Sequence, residues 1–223
     1  MVHIMVFGDS ITYGAWDKKG GWVQMLRENF DTKTLSQPDC FNSNFPMVYN
    51  LGISSDTSIN ILKRFKSETN ARLLEGYEGV FFIFAIGSND SCYLKNQNRF
   101  VTPQYQFKIN IERLIKAAKK YSDDIIFIGT TNVDESRTTP IPWNTDLYCT
   151  NNILKQYNII LESICKKHKV TFVDIFEQFE TKTDYENLLE DGLHPNTKGH
   201  KKIFEIVKEK LAIMLHSKGY IWG

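Results

Sequence analysis

The chain has 223 residues, of which 42% are hydrophobic and 24% are charged. This length is enough for one large domain with a buried core, and the composition excludes a disordered or fibrous protein. The formal net charge of +1 excludes a strong overall field that would attract nucleic acid or an anionic membrane. We therefore expect a single domain over residues 1–223, with no nucleic acid partner and no stable membrane association.

Five short apolar segments alternate with longer amphipathic ones along the chain. The predicted strands span residues 2–7, 46–51, 80–86, 125–129 and 170–173. Residues 80–86 are apolar throughout, and a strand that is apolar on both faces indicates a parallel sheet covered by helices on both sides. Helical periodicity predicts helices over residues 22–30, 57–66, 103–120, 151–168 and 197–215. The order predicts a doubly wound α/β fold in three layers (α/β/α) with about five parallel strands.

The cysteines and the amino-terminal segment bear on the location of the protein. No apolar run is long enough to span a bilayer, and the first one lacks the basic region and cleavage site of a signal peptide. The four cysteines, Cys40, Cys92, Cys149 and Cys165, are scattered and form no Cys-x-x-Cys pair, so neither a zinc site nor a redox motif is predicted. Free thiols in a reducing cytoplasm are the simplest interpretation, with a disulfide as the alternative.

The first predicted strand ends abruptly in Gly8-Asp9-Ser10. In an open α/β sheet, ligands bind beyond the carboxyl ends of the strands, so its position makes Ser10 a candidate nucleophile. A serine at this point can also be the N-cap of the following helix. The first strand alone does not distinguish a nucleophile from an N-cap, so motifs elsewhere in the chain are needed.

A second polar motif precedes the last predicted helix, where Asp191 lies three residues before His194. An acid at this spacing can bond the imidazole Nδ1 and leave Nε2 free to take a proton from a serine. His194 taken alone could equally be a surface residue beside a helix. Asp174 and Asp56 are alternative acids, although both are typical of helix or turn caps.

Acyl transfer also needs hydrogen-bond donors for the developing oxyanion. Gly52 follows the second predicted strand and Asn89 follows the third. Each could belong to a plain turn, because glycine and asparagine are common turn residues. Since Ser10, Gly52 and Asn89 follow three strands of one predicted parallel sheet, we expect them to meet at the same edge.

Four short motifs occur in order along the chain: Gly8-Asp9-Ser10, Gly52, Gly87-x-Asn89-Asp90 and Asp191-x-x-His194. Together they resemble the four sequence blocks of the SGNH hydrolases, also called the GDSL esterase/lipase family. The resemblance implies a flavodoxin-like sheet and a serine esterase that uses no metal and no other cofactor.

The resemblance also implies a role for each matching residue. Ser10 is then the nucleophile, His194 the general base and Asp191 the acid that orients the histidine. The oxyanion hole is implied to consist of the backbone N–H groups of Ser10 and Gly52 and the side-chain amide of Asn89.

Two other functions are compatible with the first loop. A flavodoxin-like mononucleotide-binding module could hold a phosphate on the polar loop after the first strand, but it would not need Asp191 and His194 at the same edge. A phosphotransferase centred on Asp9 usually has a second acid two residues later, where this chain has Ile11. Both functions are therefore weaker interpretations than an esterase.

The long connections 91–101 and 131–148 are expected at the carboxyl ends of the strands, where long loops are usually functional. Their aromatic residues Tyr93 and Trp143 are predicted to line the substrate pocket. The absence of a long apolar lid favours a small acyl group, as in an acetylesterase or a carbohydrate deacetylase. A lysophospholipase or thioesterase with the same triad is the alternative. The expected partner is a small-molecule ester, and the sequence leaves the oligomeric state open.

Overall fold

The computed structural model describes residues 1–36, 45–73, 76–77, 79–180 and 185–220. In chain order, the strands are β1 (Val2–Gly8), β2 (Pro46–Gly52), β3 (Gly79–Ala85), β4 (Tyr93–Leu94), β5 (Arg99–Phe100), β6 (Ile125–Ile128), β7 (Leu147–Tyr148) and β8 (Thr171–Val173). The central sheet has five parallel strands in the order β2-β1-β3-β6-β8. This is the flavodoxin-like strand order, and the predicted fold class is confirmed.

The helices cover both faces of this sheet. They are α1 (Ser10–Tyr13), α2 (Gly21–Leu35), α3 (Ser58–Asn70), α4 (Ser88–Ser91), α5 (Gln104–Ala118), α6 (Glu135–Thr138), α7 (Asn151–His168), α8 (Phe176–Glu180) and α9 (Thr197–Ser217), with a 3-10 helix at Tyr185–Leu188. Helices α3, α5 and α7 pack on one face, and α2, α8 and α9 pack on the other. Within the described ranges, no helix is both long and apolar enough to cross a bilayer.

Strand β3 shows why its sequence is apolar throughout. Phe82 and Phe84 belong to the core beneath α3, α5 and α7, whereas Phe81 and Ile83 belong to the core beneath α2 and α9. Successive side chains of a strand point to opposite faces, so a strand between two helical layers buries every one of them. These four side chains are at most 1% exposed.

The long connections contain a second sheet that the sequence pattern does not reveal. Strand β4 pairs antiparallel with β5 and with β7, which gives a small sheet in the order β5-β4-β7. A disulfide joins Cys92, which directly precedes β4, to Cys149, which directly follows β7. The expectation of free thiols is therefore wrong for this pair, and the cytoplasmic location loses that support. Cys165 is a free, buried thiol.

The segment over residues 31–45, between the first predicted helix and the second predicted strand, is only partly described. Its first residues continue α2, which ends at Leu35. Residues 37–44, including Cys40, lie outside the described residues.

A buried histidine lies at the interface between α9 and the start of α2. His200 has no exposed surface, and its Nδ1 accepts a hydrogen bond from the Trp22 N–H at 3.3 Å. Its Nε2 has no partner in the described part of the chain. Burial lowers the pKa of His200 to about 4, so the folded protein holds this ring neutral.

This histidine should make the protein less stable in acid. The unfolded chain binds a proton at His200 near the ordinary pKa of about 6.5, whereas the folded chain does so only near pH 4. The stability that His200 contributes is therefore lost as the pH falls from 6.5 toward 4. His200→Asn can keep the bond to the Trp22 N–H without gaining a charge. We expect it to lose about 2 kcal/mol less unfolding free energy than the wild type between about pH 7 and pH 4.5.

Urea titrations of the wild type and His200→Asn at the two pH values measure this difference. Other titrating groups are present in both proteins, so their contributions to the pH dependence cancel in the comparison. His216→Asn, which changes an exposed histidine of the same helix, is the matched control and should follow the wild type. Equal losses in the wild type and His200→Asn would contradict the prediction.

Candidate active site

The first three strands of the chain end at the same level of the sheet. Gly8 pairs with Gly52 on one side and with Ala85 on the other. A Cβ atom at Gly8 would lie 1.9 Å from Thr12 Oγ1, so only glycine lets α1 fold back against the end of β1. The loops after β1, β2 and β3 consequently meet at one place.

Ser10 is the first residue of α1, and Asp9 is its N-cap. A side-chain oxygen of Asp9 accepts the Ile11 N–H at 3.0 Å, so the alternative role of Ser10 as the N-cap is wrong. Burial raises the pKa of Asp9 to about 6. The Ser10 side chain does not cap the helix and instead faces the loop that carries Asp191 and His194.

Three side chains form a hydrogen-bonded series across a long sequence separation. Ser10 Oγ lies 2.9 Å from His194 Nε2, and His194 Nδ1 lies 2.7 Å from Asp191 Oδ2. The other oxygen of Asp191 accepts the N–H groups of Leu193 at 2.9 Å and of His194 at 2.8 Å. Burial alone would raise the pKa of Asp191, but these bonds and the nearby imidazole lower it to about 2.

The loop that carries Asp191 and His194 is fixed from several sides. The Glu190 N–H donates to the His194 carbonyl at 2.8 Å, and the Asp134 N–H donates to the Gly192 carbonyl at 2.8 Å. Arg137 Nη2 donates to the Glu190 carbonyl at 2.9 Å. Gly192 has a φ of +92°, which favours glycine. The loop thus holds the imidazole against Ser10.

The two alternative acids have other partners. Asp56 Oδ2 lies 2.8 Å from Arg64 Nε, and Asp174 Oδ1 caps α8 by accepting the Glu177 N–H at 3.2 Å. Asp191 is therefore the acid that contacts His194 in this structure.

Asn89 and Gly52 differ in how they face this site. Asn89 lines the cleft at Ser10, and its Nδ2 donates one bond to the Asp56 carbonyl at 3.0 Å, which leaves a second N–H. Gly52 does not line the cleft, and its N–H donates to Asn50 Oδ1 at 3.0 Å. A Cβ atom at Gly52 would lie 2.2 Å from the Tyr13 nitrogen. Glycine is needed there so that β2 can pack against α1, and its N–H is not free to bind an oxyanion.

Ser55, which follows Gly52 by three residues, lines the cleft instead. Its φ of +68° is uncommon for a residue other than glycine. Across the described ranges, neither the Ser55 N–H nor the Ser10 N–H donates a hydrogen bond. Arg64 fixes this loop to the strand ends, because Nη2 donates to the Leu51 carbonyl at 2.6 Å while Nε pairs with Asp56.

The cleft at Ser10 has a volume of about 1210 Å³. Trp143 lines it, as predicted, but Tyr93 does not. Alternate side chains of a strand face opposite ways, so Cys92 and Leu94 face the cleft while the Tyr93 ring packs on Phe100, with centroids 5.6 Å apart. The prediction for Tyr93 is therefore wrong.

Trp16 also lines the cleft, and the sequence pattern does not single it out. Its only signal is a position between glycines in the loop after Ser10. As for metal ions, the described residues contain no group of three His, Cys, Asp or Glu side chains that could hold one.

A serine, a histidine and an acid in hydrogen-bonded series are the arrangement used by acyl-transfer enzymes on several unrelated folds. The family model described as the GDSL-like Lipase/Acylhydrolase family matches residues 6–202, and the chain belongs to this family. It is an ester-hydrolysing enzyme.

Similar proteins are found among curated sequences and solved structures. The chain is 26% identical over 212 residues to the isoamyl acetate-hydrolyzing esterase of Saccharomyces cerevisiae, covering 88% of this chain and 80% of that protein. It is 25% identical over 227 residues to a GDSL esterase/lipase of Arabidopsis thaliana, covering 93% and 79%.

Two solved structures share the fold. The lipase/acylhydrolase from Enterococcus faecalis has a TM-score of 0.72 at 20% identity, and the alignment covers 95% of both chains. A catalytic mutant of an acetylxylan esterase from Geobacillus stearothermophilus has a TM-score of 0.68 at 18% identity, covering 99% of this chain and 95% of that chain.

Proposed function

We propose that this protein is a serine esterase that hydrolyses esters of small acyl groups through an acyl-enzyme intermediate. The observation that carries the proposal is the series Ser10–His194–Asp191, with distances of 2.9 Å and 2.7 Å. Two similar proteins, the isoamyl acetate-hydrolyzing esterase of Saccharomyces cerevisiae and the acetylxylan esterase of Geobacillus stearothermophilus, support a small acyl group.

In the first half of the reaction, Ser10 attacks the ester carbonyl. His194 Nε2 takes the hydroxyl proton, and the Asp191 carboxylate stabilises the imidazolium that forms. His194 then gives this proton to the alkoxide, so the alcohol leaves and the acyl group stays on Ser10. In the second half, water replaces Ser10 Oγ as the attacking group and the same proton transfers release the acid.

The oxyanion of each tetrahedral intermediate needs hydrogen-bond donors near Ser10, in addition to the triad. We assign the N–H groups of Ser10 and Ser55 and the Asn89 amide to this role. Ser55 takes the role that the family resemblance implies for Gly52, because Ser55 lines the cleft and its N–H donates no hydrogen bond among the described residues. The Arg64 bonds to Asp56 and Leu51 keep the loop in place before substrate arrives.

Replacing Asn89 by alanine should slow the chemical step and leave substrate binding nearly unchanged. The lost amide would bind the oxyanion and not the ground-state carbonyl, so kcat should fall by about 10²- to 10³-fold with little change in KM. Steady-state kinetics on p-nitrophenyl acetate measure both constants. Asn152→Ala, at an exposed position of α7, is the control, and an unchanged kcat for Asn89→Ala would remove Asn89 from the oxyanion hole.

Labelling with a fluorophosphonate tests the proposal as a whole. An activated serine should take up one phosphonyl group, which intact-mass spectrometry detects, and Ser10→Ala should take up none. A wild-type protein that stays unlabelled, or that retains a bound mononucleotide, would favour the binding module. Nitrophenyl esters of increasing chain length separate the acyl classes, and a maximum at long chains would contradict the small acyl group.

A further inference from the structure

We propose that Trp16 and Trp143 form the subsite for the leaving alcohol of the ester, and that this alcohol is a cyclic polyol such as a pyranose sugar. The inference rests on the proposed function, because it uses His194 as the group that protonates the alcohol. It adds the part of the substrate that the triad does not identify.

Two exposed indole rings flank His194. The Trp16 ring meets the imidazole edge-on with centroids 6.1 Å apart, and the Trp143 ring lies at 30° to it with centroids 5.8 Å apart. Trp16 is 65% exposed and Trp143 is 54% exposed, whereas Trp22 is buried. Single exposed aromatic side chains are common on protein surfaces, but two beside one histidine in a cleft indicate a binding surface.

The backbone of Trp16 is held in an unfavourable conformation. Its φ is +65°, which is an outlier for a bulky residue. The neighbouring Asp17 fixes the loop, because its carboxylate accepts the Gly21 N–H at 2.9 Å and the Thr197 hydroxyl. Strained backbone of this kind persists where the surroundings enforce it, and such positions cluster at functional sites. The bonds of Asp17 therefore fix the backbone that carries the Trp16 indole.

The position of the two rings assigns them to the alcohol. Whichever ester binds, its leaving oxygen must come within hydrogen-bonding distance of His194 Nε2 to receive the proton. The groups next to that oxygen then lie close to the two rings that contact the imidazole. The acyl group, in contrast, stays on Ser10 when the alcohol leaves.

The polar lining of the same cleft favours a cyclic polyol. Polar side chains that line the cleft include Lys18, Lys19, Gln24 and Glu28. A pyranose has an apolar C–H face that can stack on an indole and hydroxyl groups around its rim that can reach such side chains. An alkyl alcohol would match the rings but could form no hydrogen bonds with these side chains beyond those of its one oxygen.

Two acetates with different alcohols test this inference: a methyl xylopyranoside that carries one acetyl group and keeps its other ring hydroxyls free, and isoamyl acetate. Both give the same acetyl-enzyme, so a difference in kcat/KM reports on the alcohol. The wild type should prefer the sugar acetate. Trp16→Ala and Trp143→Ala should lower kcat/KM for it by about tenfold more than for isoamyl acetate, and Trp16→Phe should restore part of the loss.

Tyr105→Ala, which removes an exposed ring from α5 outside the cleft, should change neither rate. Fluorophosphonate labelling at the wild-type rate would show that the triad is intact in each tryptophan variant. Equal losses for the two acetates, or a wild type that prefers isoamyl acetate, would overturn the inference. Failure of the proposed function is a different result, in which Ser10→Ala still hydrolyses both acetates.

Discussion

Replacing Ser10 by alanine should abolish ester hydrolysis and leave the fold intact. The hydroxyl is the group that would form the covalent bond to the acyl group, and within the described ranges Ser10 Oγ is the hydroxyl that contacts His194 Nε2. Removing the nucleophile of a triad leaves only the acceleration that the oxyanion donors and binding supply, so we expect kcat to fall by about 10⁴- to 10⁶-fold. Initial rates with p-nitrophenyl acetate measure this loss.

The stability of the same variant should stay close to that of the wild type. Ser10 is only partly buried, and its side chain makes its hydrogen bond to His194, which keeps the bond to Asp191. Thermal unfolding should therefore occur within a few degrees of the wild-type midpoint. Ser217→Ala, at an exposed position in α9, should retain both activity and stability. A Ser10→Ala protein that is folded and hydrolyses the ester at the full rate would show that another group is the nucleophile.

The central sheet can be predicted from the sequence because burial on two faces has a clear signature. The apolar run over residues 80–86 leads to β3, and its neighbours follow from the alternation of strands and amphipathic helices. The small sheet has no such signature, since β4, β5 and β7 are two residues long. Periodicity needs more residues than that to show itself, and the pairing of Cys92 with Cys149 depends on the same unpredicted contacts.

The catalytic side chains are predictable for a different reason. Ser10 follows directly from the end of a strand, and the spacing of Asp191 and His194 is a local property of one loop. Oxyanion donors on the backbone lack such a marker, because every residue except proline has an N–H. Whether Gly52 or Ser55 faces the cleft depends on the turn between them, and a positive φ at a serine cannot be inferred from its side chain.

The residues that line the cleft are also only partly predictable from the sequence. An aromatic residue in a long loop is a reasonable candidate for a pocket wall, and Trp143 fulfils the expectation. For Tyr93 the outcome depends on which face of β4 points to the cleft, and β4 exists only through pairing with distant residues. The position of one side chain is then a property of the tertiary structure.

Exchanging Asp191 for asparagine should have the second-largest effect. The asparagine oxygen can still accept the N–H groups that Asp191 Oδ1 accepts from Leu193 and His194, so the loop should keep its shape. The amide NH₂ would then face His194 Nδ1 as a donor. This favours the tautomer with its proton on Nε2, which cannot accept the proton of Ser10. By analogy with other triads, kcat should fall by about 10⁴-fold.

Asp174→Asn is the matched control for this exchange, because it makes the same chemical change at an acid that caps α8. Asparagine is as good an N-cap as aspartate, so activity should stay close to that of the wild type. Acidification does not reproduce the Asp191→Asn effect: with a pKa of about 2, the Asp191 carboxylate stays ionised throughout the ordinary assay range. Kinetics of both variants at neutral pH therefore isolate the acid that orients His194. A larger loss in Asp174→Asn than in Asp191→Asn would transfer that role to Asp174.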